Sequence, residues 1–270
     1  MNSTPHPLHP HHPLDVELAA RFRSGQRMRG IFNGLPSPAI VEMCAFAGFD
    51  LVIIDNEHGS ADHLMTEHLL RAARASGIPA LVRCLEHDIP RVLDMGASGV
   101  QVPMVQSAAH ARRLVEMVRY PLPQGRGGRR GSAFSSRAAG YGAFGGPAHT
   151  ALSNESIVLV AMVETPEAVE QAGDIAAVSG VDAVFVGPND LAHAMGHENR
   201  WTDEPVQAAI EHVLKDVSGQ GKCAGVLALT PEEEERYAAW GGRYFATVTT
   251  SLITRAFRQA AQQGRAELSY

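Results

Sequence analysis

Long apolar runs, closely spaced cysteines and an excess of basic residues are all missing from this chain of 270 residues. Its longest apolar stretches, such as residues 157–163, are far shorter than the roughly 18 to 20 residues that span a bilayer, so we expect no membrane segment. The three cysteines, Cys44, Cys84 and Cys223, are far apart, and we expect reduced, buried thiols. A formal net charge of −6 at pH 7 argues against a general nucleic-acid partner.

The N-terminal segment is rich in histidine and proline. The two residue types are interspersed over residues 5–13, a composition that favours a flexible, extended segment over a metal site. The segment has neither an apolar stretch nor basic residues, so it does not resemble a secretory signal, and we expect a cytoplasmic protein. We predict a disordered tail over residues 1–14 and a single domain over residues 15–270.

After this tail, short β-branched runs alternate with longer amphipathic stretches, which predicts parallel strands joined by crossover helices. Eight runs are predicted to be strands, the number that a closed barrel requires. They lie at residues 29–33, 51–54, 80–83, 99–102, 157–164, 182–186, 222–227 and 243–248. The sequence therefore predicts an α/β protein with the (β/α)8 TIM-barrel fold.

Helical segments are also marked by their residues. Thr165 precedes a proline, and Thr230 precedes a proline and a capping-box glutamate, Glu233, so both threonines are predicted to begin helices just after strands. Apolar residues within 206–217 recur at helical spacing and predict one buried helix face.

The exception to this regular spacing is the segment 120–152, in which glycine, proline, serine and arginine are frequent. Loops of this length in compact domains are usually functional or disordered. We expect it at the C-terminal face of the barrel, where loops that follow strands form active sites. Arg126, Arg129 and Arg130 belong to it; a solvated loop is the favoured interpretation, and closure over an acidic substrate is the alternative.

Polar residues end four of the apolar strands and should converge at the mouth of the barrel, however far apart they lie in sequence. Together they offer acids, a base, a cation and backbone donors. These residues are Asp55, Glu57, His58, Arg83, Glu164, Asn189 and Asp190.

Glu164 and Asp190 close two adjacent strands, so their carboxylates are predicted to lie near each other. Their repulsion would be relieved by a divalent cation with oxygen ligands, such as Mg²⁺, Mn²⁺ or Co²⁺. The alternative makes Glu164 part of a helix N-terminus beside Thr165, stabilised by the helix dipole. Spacing alone does not decide between the two.

The other strand ends also allow two interpretations each. His58, oriented by Asp55 or Glu57, has the chemistry of a general base, although a histidine after a strand is as often structural. Arg83 should face an anion or form an ion pair with one of these carboxylates, and both roles are compatible. The backbone N–H groups of residues 189–190 suit a substrate carboxylate, but the same residues occur in ordinary turns.

At these residues the chain resembles the HpcH/HpaI family, the 4-hydroxy-2-oxo-heptanedioate aldolases, which are class II pyruvate aldolases of the phosphoenolpyruvate/pyruvate barrel superfamily. The likeness spans about residues 18–257, and the order and spacing of its motifs make it specific. The motifs are IDNEHG at 54–59, VR at 82–83, VPMVQ at 102–106, RYP at 119–121, VET at 163–165 and FVGPNDL at 185–191.

The resemblance implies a role for each matching residue. Glu164 and Asp190 would hold a divalent metal that binds pyruvate. His58, assisted by Asp55, would handle protons, and Arg83 would stabilise the enolate oxygen.

Two further matches concern the surroundings of the site. Asp94 matches a residue that reaches the site of a neighbouring subunit, which implies a homo-oligomer, hexameric in relatives. Leu227 would line the aldehyde side.

Three departures from the family pattern fall near the proposed site. Met162 stands where family members often carry glutamine, two residues before the metal-binding glutamate. The end of the last strand, residues 246–250, differs from the usual pattern, and the arginine-rich segment has additional Arg and Gly.

The implied activity is metal-dependent cleavage or formation of 4-hydroxy-2-oxo acids, from pyruvate or a close 2-oxo acid and an aldehyde. A Schiff-base mechanism is disfavoured because the few lysines, such as Lys215 and Lys222, lie in a helix and at a strand start. The alternatives are a thioester lyase of the citrate-lyase β or malyl-CoA type and a non-catalytic ligand-binding derivative.

Overall fold

A computed structural model describes residues 12–123 and 127–262, which form a closed barrel of eight parallel strands paired in sequence order. All eight predicted strands are present, and their bounds differ from the prediction by one residue or less at each end. The strands are β1 (Met28–Asn33), β2 (Leu51–Asp55), β3 (Ala80–Arg83), β4 (Gly99–Val102), β5 (Val158–Val163), β6 (Ala183–Val186), β7 (Cys223–Leu227) and β8 (Gly242–Val248). The (β/α)8 fold is therefore confirmed.

One helix precedes the first strand, and the others follow the strands and surround the barrel. They are α1 (Glu17–Arg23), α2 (Pro38–Phe46), α3 (His63–Ser76), α4 (Ile89–Asp94), α5 (Ala108–Val118), α6 (Gly146–Ser156), α7 (Pro166–Glu170), α8 (Ala172–Ala177), α9 (Pro188–Ala194), α10 (Glu204–Gly219), α11 (Pro231–Ala239) and α12 (Thr249–Gln262). The two predicted caps are confirmed, because the side chains of Thr165 and Thr230 accept from the N–H groups of Ala168 and Glu233.

The strands read as continuous apolar runs because both of their faces are buried. One face packs against the outer helices, which include the predicted buried stripe of α10. The other face fills the barrel interior, where α1 closes the N-terminal end and Phe22 packs edge-on against Tyr244. Gly30 and Gly225 make room for this ring, since a Cβ at either would lie 2.9 or 2.8 Å from it.

The segment 120–152 is not where the sequence predicted it. Helix α5 stands between β4 and this segment, so the segment returns to the N-terminal face of the barrel instead of following a strand at the mouth. Arg119 marks this placement by donating to the carbonyl of Ile157 at 2.7 Å, just before β5. The segment is also not a continuous loop, because it contains a 3₁₀ helix (Arg137–Gly142) and most of α6.

The arginines of this segment have different surroundings. Arg129 is exposed and lies 2.8 Å from Glu116, in keeping with a solvated position. For Arg130 the solvated interpretation is wrong: its side chain is 1% exposed, lies over the ring of Tyr120 and pairs with Asp94 at 2.8 Å. Arg126 lies outside the described residues.

The predicted tail falls mostly outside the described residues, which begin at His12. The last part of the tail is packed rather than free, since His12 and Leu14 are buried and Arg74 donates to the carbonyl of His12 at 2.8 Å. Within residues 12–123 and 127–262, no helix is long and apolar enough to cross a bilayer.

The three cysteines are free and buried, as predicted. Burial raises the pKa of Cys84 and of Cys223 to about 12, so both stay protonated at neutral pH.

Candidate active site

The carboxyl ends of the strands surround one cavity of about 740 Å³ at the mouth of the barrel. Side chains that are far apart in sequence meet there, as the strand ends predicted. The predicted residues that line it are Asp55, His58, Arg83, Glu164, Asn189, Asp190 and Leu227.

Asp55 and Arg83 form an ion pair on one wall of this cavity. They end neighbouring strands and lie opposite each other in the register of β2 and β3. Arg83 donates from Nε to Asp55 Oδ1 at 2.8 Å and from Nη2 to Oδ2 at 2.5 Å. Its guanidinium carbon also lies 4.8 Å from the centre of the Phe32 ring. Two hydrogen bonds and an aromatic face therefore fix the plane of the guanidinium.

Burial opposes both charges, but the pairing outweighs it. Burial acts to raise the pKa of Asp55, whereas Arg83 and the backbone N–H groups of His58 and Glu57 lower it, and the net pKa is lowered. Burial acts to lower the pKa of Arg83, and Asp55 and Glu57 reverse this, so the net pKa is raised. Arg83 is therefore a permanent, fixed cation beside the cavity.

Glu57 follows this pair on the loop after β2. Its Oε2 lies 3.4 Å from Arg83 Nη1. Burial is the largest cause of its raised pKa, and the charges of Asp55 and Asp190 contribute. Among the described residues, Oε2 has no hydrogen-bond partner. Glu57 thus has acceptor capacity that its own surroundings do not satisfy.

His58 is the most accessible of the predicted catalytic groups, with 63% of its side chain exposed. Its Nε2 lies 3.8 Å from Glu57 Oε2. Asp55 Oδ1 accepts from the backbone N–H of His58 at 3.3 Å, and the same carboxylate is paired with Arg83. The carboxylate beside the imidazole is thus Glu57, and Asp55 shapes the loop.

Glu164 follows β5, is only 2% exposed and is held in a fixed orientation. Its Oε2 accepts from the N–H of Met104 at 2.7 Å. Met104 has a φ of 55°, a backbone conformation that is strained for a residue with a side chain. On the opposite side, Gly187 leaves room for Oε1, since a Cβ there would lie 2.4 Å from that atom.

Burial is also the main reason that the pKa of Glu164 is raised to about 7, with contributions from the charges of Asp190 and Glu57. Asp190 itself is exposed, in the first turn of α9 after β6. Strands β5 and β6 are neighbours, with Val163 opposite Val186. The two carboxylates therefore share one side of the mouth and repel each other.

A family model described as HpcH/HpaI aldolase/citrate lyase matches residues 29–253. The chain belongs to this family. It is accordingly a carbon–carbon lyase, and the family expected from the sequence motifs is confirmed.

Individual relatives cover nearly the whole chain. A hydroxypyruvate/pyruvate aldolase from Deinococcus radiodurans is 38% identical over 253 residues, 92% of this chain and 90% of that protein. A 5-keto-4-deoxy-D-glucarate aldolase from Salmonella arizonae is 34% identical over 247 residues, 90% of this chain and 93% of that protein. A crystal structure of an HpcH/HpaI aldolase/citrate lyase family protein from Burkholderia cenocepacia has a TM-score of 0.86 at 30% identity, covering 93% of this chain and all of that one.

In this HpcH/HpaI protein the carboxylates at the mouth fit a divalent cation. They provide hard oxygen ligands, and a cation would offset the burial, and the repulsion from Asp190 and Glu57, that together raise the pKa of Glu164. The described residues contain no group of three or more His, Cys, Asp or Glu side chains arranged to hold a metal. A cation between Glu164 and Asp190 would therefore need further ligands from substrate or water.

Some residues of the site were missed in the sequence. Met104, which orients Glu164 through its N–H, carried no local signal, because a positive φ in a residue other than glycine cannot be seen in a motif. His193 could have been found, since it lies three residues after Asp190 and shares its helix face. Trp201 follows a turn after α9 and lines the cavity because of the course of the chain in space, which the sequence does not show.

The departure at Met162 lies on the floor of the cavity, where the side chain is 2% exposed. The neighbouring strand β4 carries a buried amide, and Gln101 Oε1 accepts from the hydroxyl of Tyr244 at 3.1 Å, but Gln101 does not line the cavity. Gln101 Nε2 has no hydrogen-bond partner among the described residues.

Asp94 does not line the cavity. It ends α4, so it lies toward the N-terminal end of the barrel, where it pairs with Arg130 at 2.8 Å. Its role at the site of a neighbouring subunit stays a prediction.

Proposed function

We propose that the protein is a divalent-metal-dependent class II aldolase, which forms or cleaves 4-hydroxy-2-oxo acids with pyruvate, or a close 2-oxo acid, as donor and an aldehyde as acceptor. The observation that carries this proposal is the arrangement at the mouth. Glu164 and Asp190, the fixed cation Arg83 and the accessible His58 line a single cavity.

Glu164 and Asp190 are the ligands of the metal in this proposal, with Mg²⁺, Mn²⁺ or Co²⁺ as candidates. The cation supplies positive charge that favours loss of a methyl proton from the bound 2-oxo acid. The Met104 N–H and the open space at Gly187 keep the carboxylate of Glu164 aimed into the cavity before anything binds.

Arg83 stabilises the enolate oxygen. Its plane is set by Asp55 and Phe32, so no reorganisation of the guanidinium is needed as the negative charge develops. This preorganisation makes Asp55 a positioning residue, which acts through Arg83.

His58 is the general base that takes the hydroxyl proton of the 4-hydroxy-2-oxo acid when the carbon–carbon bond breaks. Its exposure lets the ring reach substrate directly or through water, and Glu57 Oε2 lies 3.8 Å away to stabilise the protonated ring. In the synthetic direction the same proton returns to the aldehyde oxygen.

The relatives support this choice of reaction, because those compared above are named as aldolases of hydroxypyruvate, pyruvate and 5-keto-4-deoxy-D-glucarate. They weigh against the thioester-lyase alternative of the citrate-lyase β or malyl-CoA type. The non-catalytic alternative is disfavoured because His58, Arg83, Glu164 and Asp190 are all present at one cavity.

We further propose that the protein forms a homo-oligomer, and specifically a hexamer, as the resemblance to the family implies. Apolar side chains on the outer surface support it: Phe46 is 81% exposed, Phe257 69% and Met43 62%. Within α12, Thr249 is the one buried residue. Light scattering coupled to gel filtration should give about six times the monomer mass of 28.9 kDa, and a monomer at micromolar concentration would refute the assembly.

The aldolase proposal is tested by proton NMR of pyruvate in D₂O. Added Mg²⁺, Mn²⁺ or Co²⁺ should cause loss of the methyl signal, with Mn²⁺ samples freed of metal before recording, and a chelator should stop it. Glu164→Gln and Asp190→Asn should abolish the exchange, whereas Glu170→Gln, an exposed control on α7, should retain it. Absence of exchange with every metal would refute the enolate mechanism.

A further inference from the structure

A second, smaller cavity lies at the N-terminal end of the barrel, opposite the mouth. Its volume is about 70 Å³, compared with about 740 Å³ at the mouth. The end of α3, the starts of β3 and β4 and the chain just before α1 surround it. Its polar lining side chains are Arg74 on α3, Arg137 on the 3₁₀ helix, Ser98 before β4 and Asp15. We call this cavity the arginine notch.

The guanidinium groups of the notch are anchored to backbone carbonyls. Arg137 Nη1 donates to the carbonyl of Met95 at 2.7 Å. It passes closely over Gly96, where a Cβ would lie 2.5 Å from Nη1. Arg74 Nη2 donates to the carbonyl of His12 at 2.8 Å. Each side chain makes no other hydrogen bond within residues 12–123 and 127–262, so each has N–H groups left for a ligand.

These two arginines differ from the buried arginines elsewhere in the protein. Arg83, Arg119 and Arg130 each pair with a carboxylate. In contrast, no carboxylate of a described residue lies within 4 Å of the guanidinium of Arg74 or of Arg137. Arg137 is half-buried, and a cation that is partly removed from water without a counter-ion costs free energy. The notch therefore has positive charge that the described side chains do not neutralise.

The neighbouring charges do not compensate for this. Burial is the main cause of the lowered pKa of Arg137, and the charges of Arg71 and Arg74 lower it further, against the opposing charge of Glu67. Glu67 already pairs with Arg71. Asp15 is the one carboxylate among the described lining residues, and its Oδ1 accepts from two backbone N–H groups at the start of α1. Two guanidinium groups thus face the notch with a single, partly occupied carboxylate.

We propose that the arginine notch binds a small tetrahedral oxyanion of the phosphate class. Guanidinium groups carry paired N–H donors that match the oxygens of phosphate, and Arg74 and Arg137 bring two such groups to one cavity. The hydroxyl of Ser98 accepts from the N–H of Ala80 at 3.4 Å and keeps its own proton to donate. A bound anion would join α3, the 3₁₀ helix and the start of β4, so it should stabilise the native state.

Isothermal titration calorimetry with sodium phosphate tests this site, in the presence of a chelator and at an ionic strength held constant with chloride. Carboxylates outnumber cations at the metal-free mouth and repel phosphate there. We expect one phosphate per chain, and binding of acetate, which has a single charge, that is weaker by at least about tenfold. Absence of saturable phosphate binding, or equal affinity for acetate, would overturn the proposal.

Glycerol 3-phosphate distinguishes two sources of the same chemistry. Binding as tight as that of phosphate would assign the notch to the phosphate group of a larger molecule, whose remainder stays in solvent. Weaker binding would assign it to the free ion, and either result supports an oxyanion site.

Substitutions locate the binding in the notch. Arg74→Gln and Arg137→Gln should each weaken phosphate binding by at least about tenfold, because charge-assisted hydrogen bonds are lost. Arg74→Lys should be intermediate, since it keeps the charge without the planar fork. Arg112→Gln, exposed on α5, is the control and should keep the wild-type affinity. Arg74 is itself exposed, so its variants test the site without depending on the folding of Arg137→Gln. Wild-type affinity in Arg74→Gln would overturn the proposal.

Thermal unfolding gives a second readout. Phosphate at ten times its dissociation constant should raise the unfolding midpoint of the wild type by about 3 °C and leave that of Arg74→Gln unchanged. A shift of the same size in Arg74→Gln would show that phosphate acts elsewhere and would contradict the assignment. Neither measurement involves a metal or an aldehyde, so the result is independent of the proposed aldol function.

Discussion

The two ends of the barrel differ in how many of their carboxylates are paired with a cation. At the N-terminal end, buried carboxylates have cationic partners: Asp182 lies 2.8 Å from Arg23 and 3.6 Å from Arg119, and Glu234 lies 2.9 Å from Arg29. At the mouth, carboxylates outnumber cations, and Glu164 has a pKa raised to about 7. Paired charge at one end and uncompensated charge at the other indicate that the first end stabilises the fold and the second binds and reacts.

Removing the proposed base should have the largest effect on the reactive end. His58→Ala should lower the rate of cleavage of a 4-hydroxy-2-oxo acid by about a thousandfold, because proton removal from the hydroxyl loses its acceptor. His63→Ala, with 45% of its side chain exposed at the start of α3, is the matched control. Full cleavage activity in the His58 variant, measured by release of pyruvate, would exclude it as the base.

The burial of the Glu164 carboxyl should affect the stability of the protein when a chelator is present. In the native state this carboxyl keeps its proton up to a pH of about 7, against 4.5 for the unperturbed group, so the native state binds more protons over that range. By linkage, the contribution of this carboxyl to the free energy of unfolding falls as pH rises from about 4.5 to about 7 and then levels off, by about 3 kcal/mol in all.

Glu164→Gln isolates this contribution. The difference in unfolding free energy between wild type and this variant, from urea titrations with a chelator, should change with pH over the same range and be constant above it. A difference that is independent of pH would show that the carboxyl is not perturbed.

The N-terminal end should respond in stability instead. Arg119→Met removes hydrogen bonds to the carbonyls of Ile157 and Gly180 and a partner of Asp182, and should cost about 2 kcal/mol in urea unfolding. Arg129→Ala, which breaks an exposed pair, should cost less than about 0.5 kcal/mol. Equal losses in the two variants would contradict the structural role of the buried arginine.

The smallest expected effect comes from crowding Glu164 rather than removing it. Gly187→Ala places a methyl group 2.4 Å from Oε1 and should reduce both Mn²⁺ affinity and pyruvate exchange by about tenfold, because the carboxylate must shift. Gly219→Ala, at the end of α10, meets nothing within 4 Å and should behave as wild type. An undisturbed affinity in the Gly187 variant would mean that Oε1 is not a ligand.

Much of the fold and the site could be predicted because the signals are local. Strands that are buried on both faces read as β-branched runs, and their polar ends mark the mouth. Asp55, Arg83 and Glu164 were therefore found from the point where each apolar run ends.

The errors arose where distant contacts decide the structure. The segment 120–152 has the composition of a loop, but α6, most of which lies within it, is held against α1, which no local pattern reveals. Arg130 looked solvated because its ion-pair partner, Asp94, lies 36 residues before it in the chain. The φ of Met104 is likewise imposed by its surroundings.

The central claim is that Glu164 and Asp190 hold a divalent cation at the mouth, and binding of Mn²⁺ followed by electron paramagnetic resonance tests it most directly. Wild-type protein with pyruvate should bind one Mn²⁺ per chain. Glu164→Gln and Asp190→Asn should each weaken this binding by at least about a hundredfold while thermal unfolding remains cooperative. Wild-type affinity in either variant would contradict the assignment of that carboxylate.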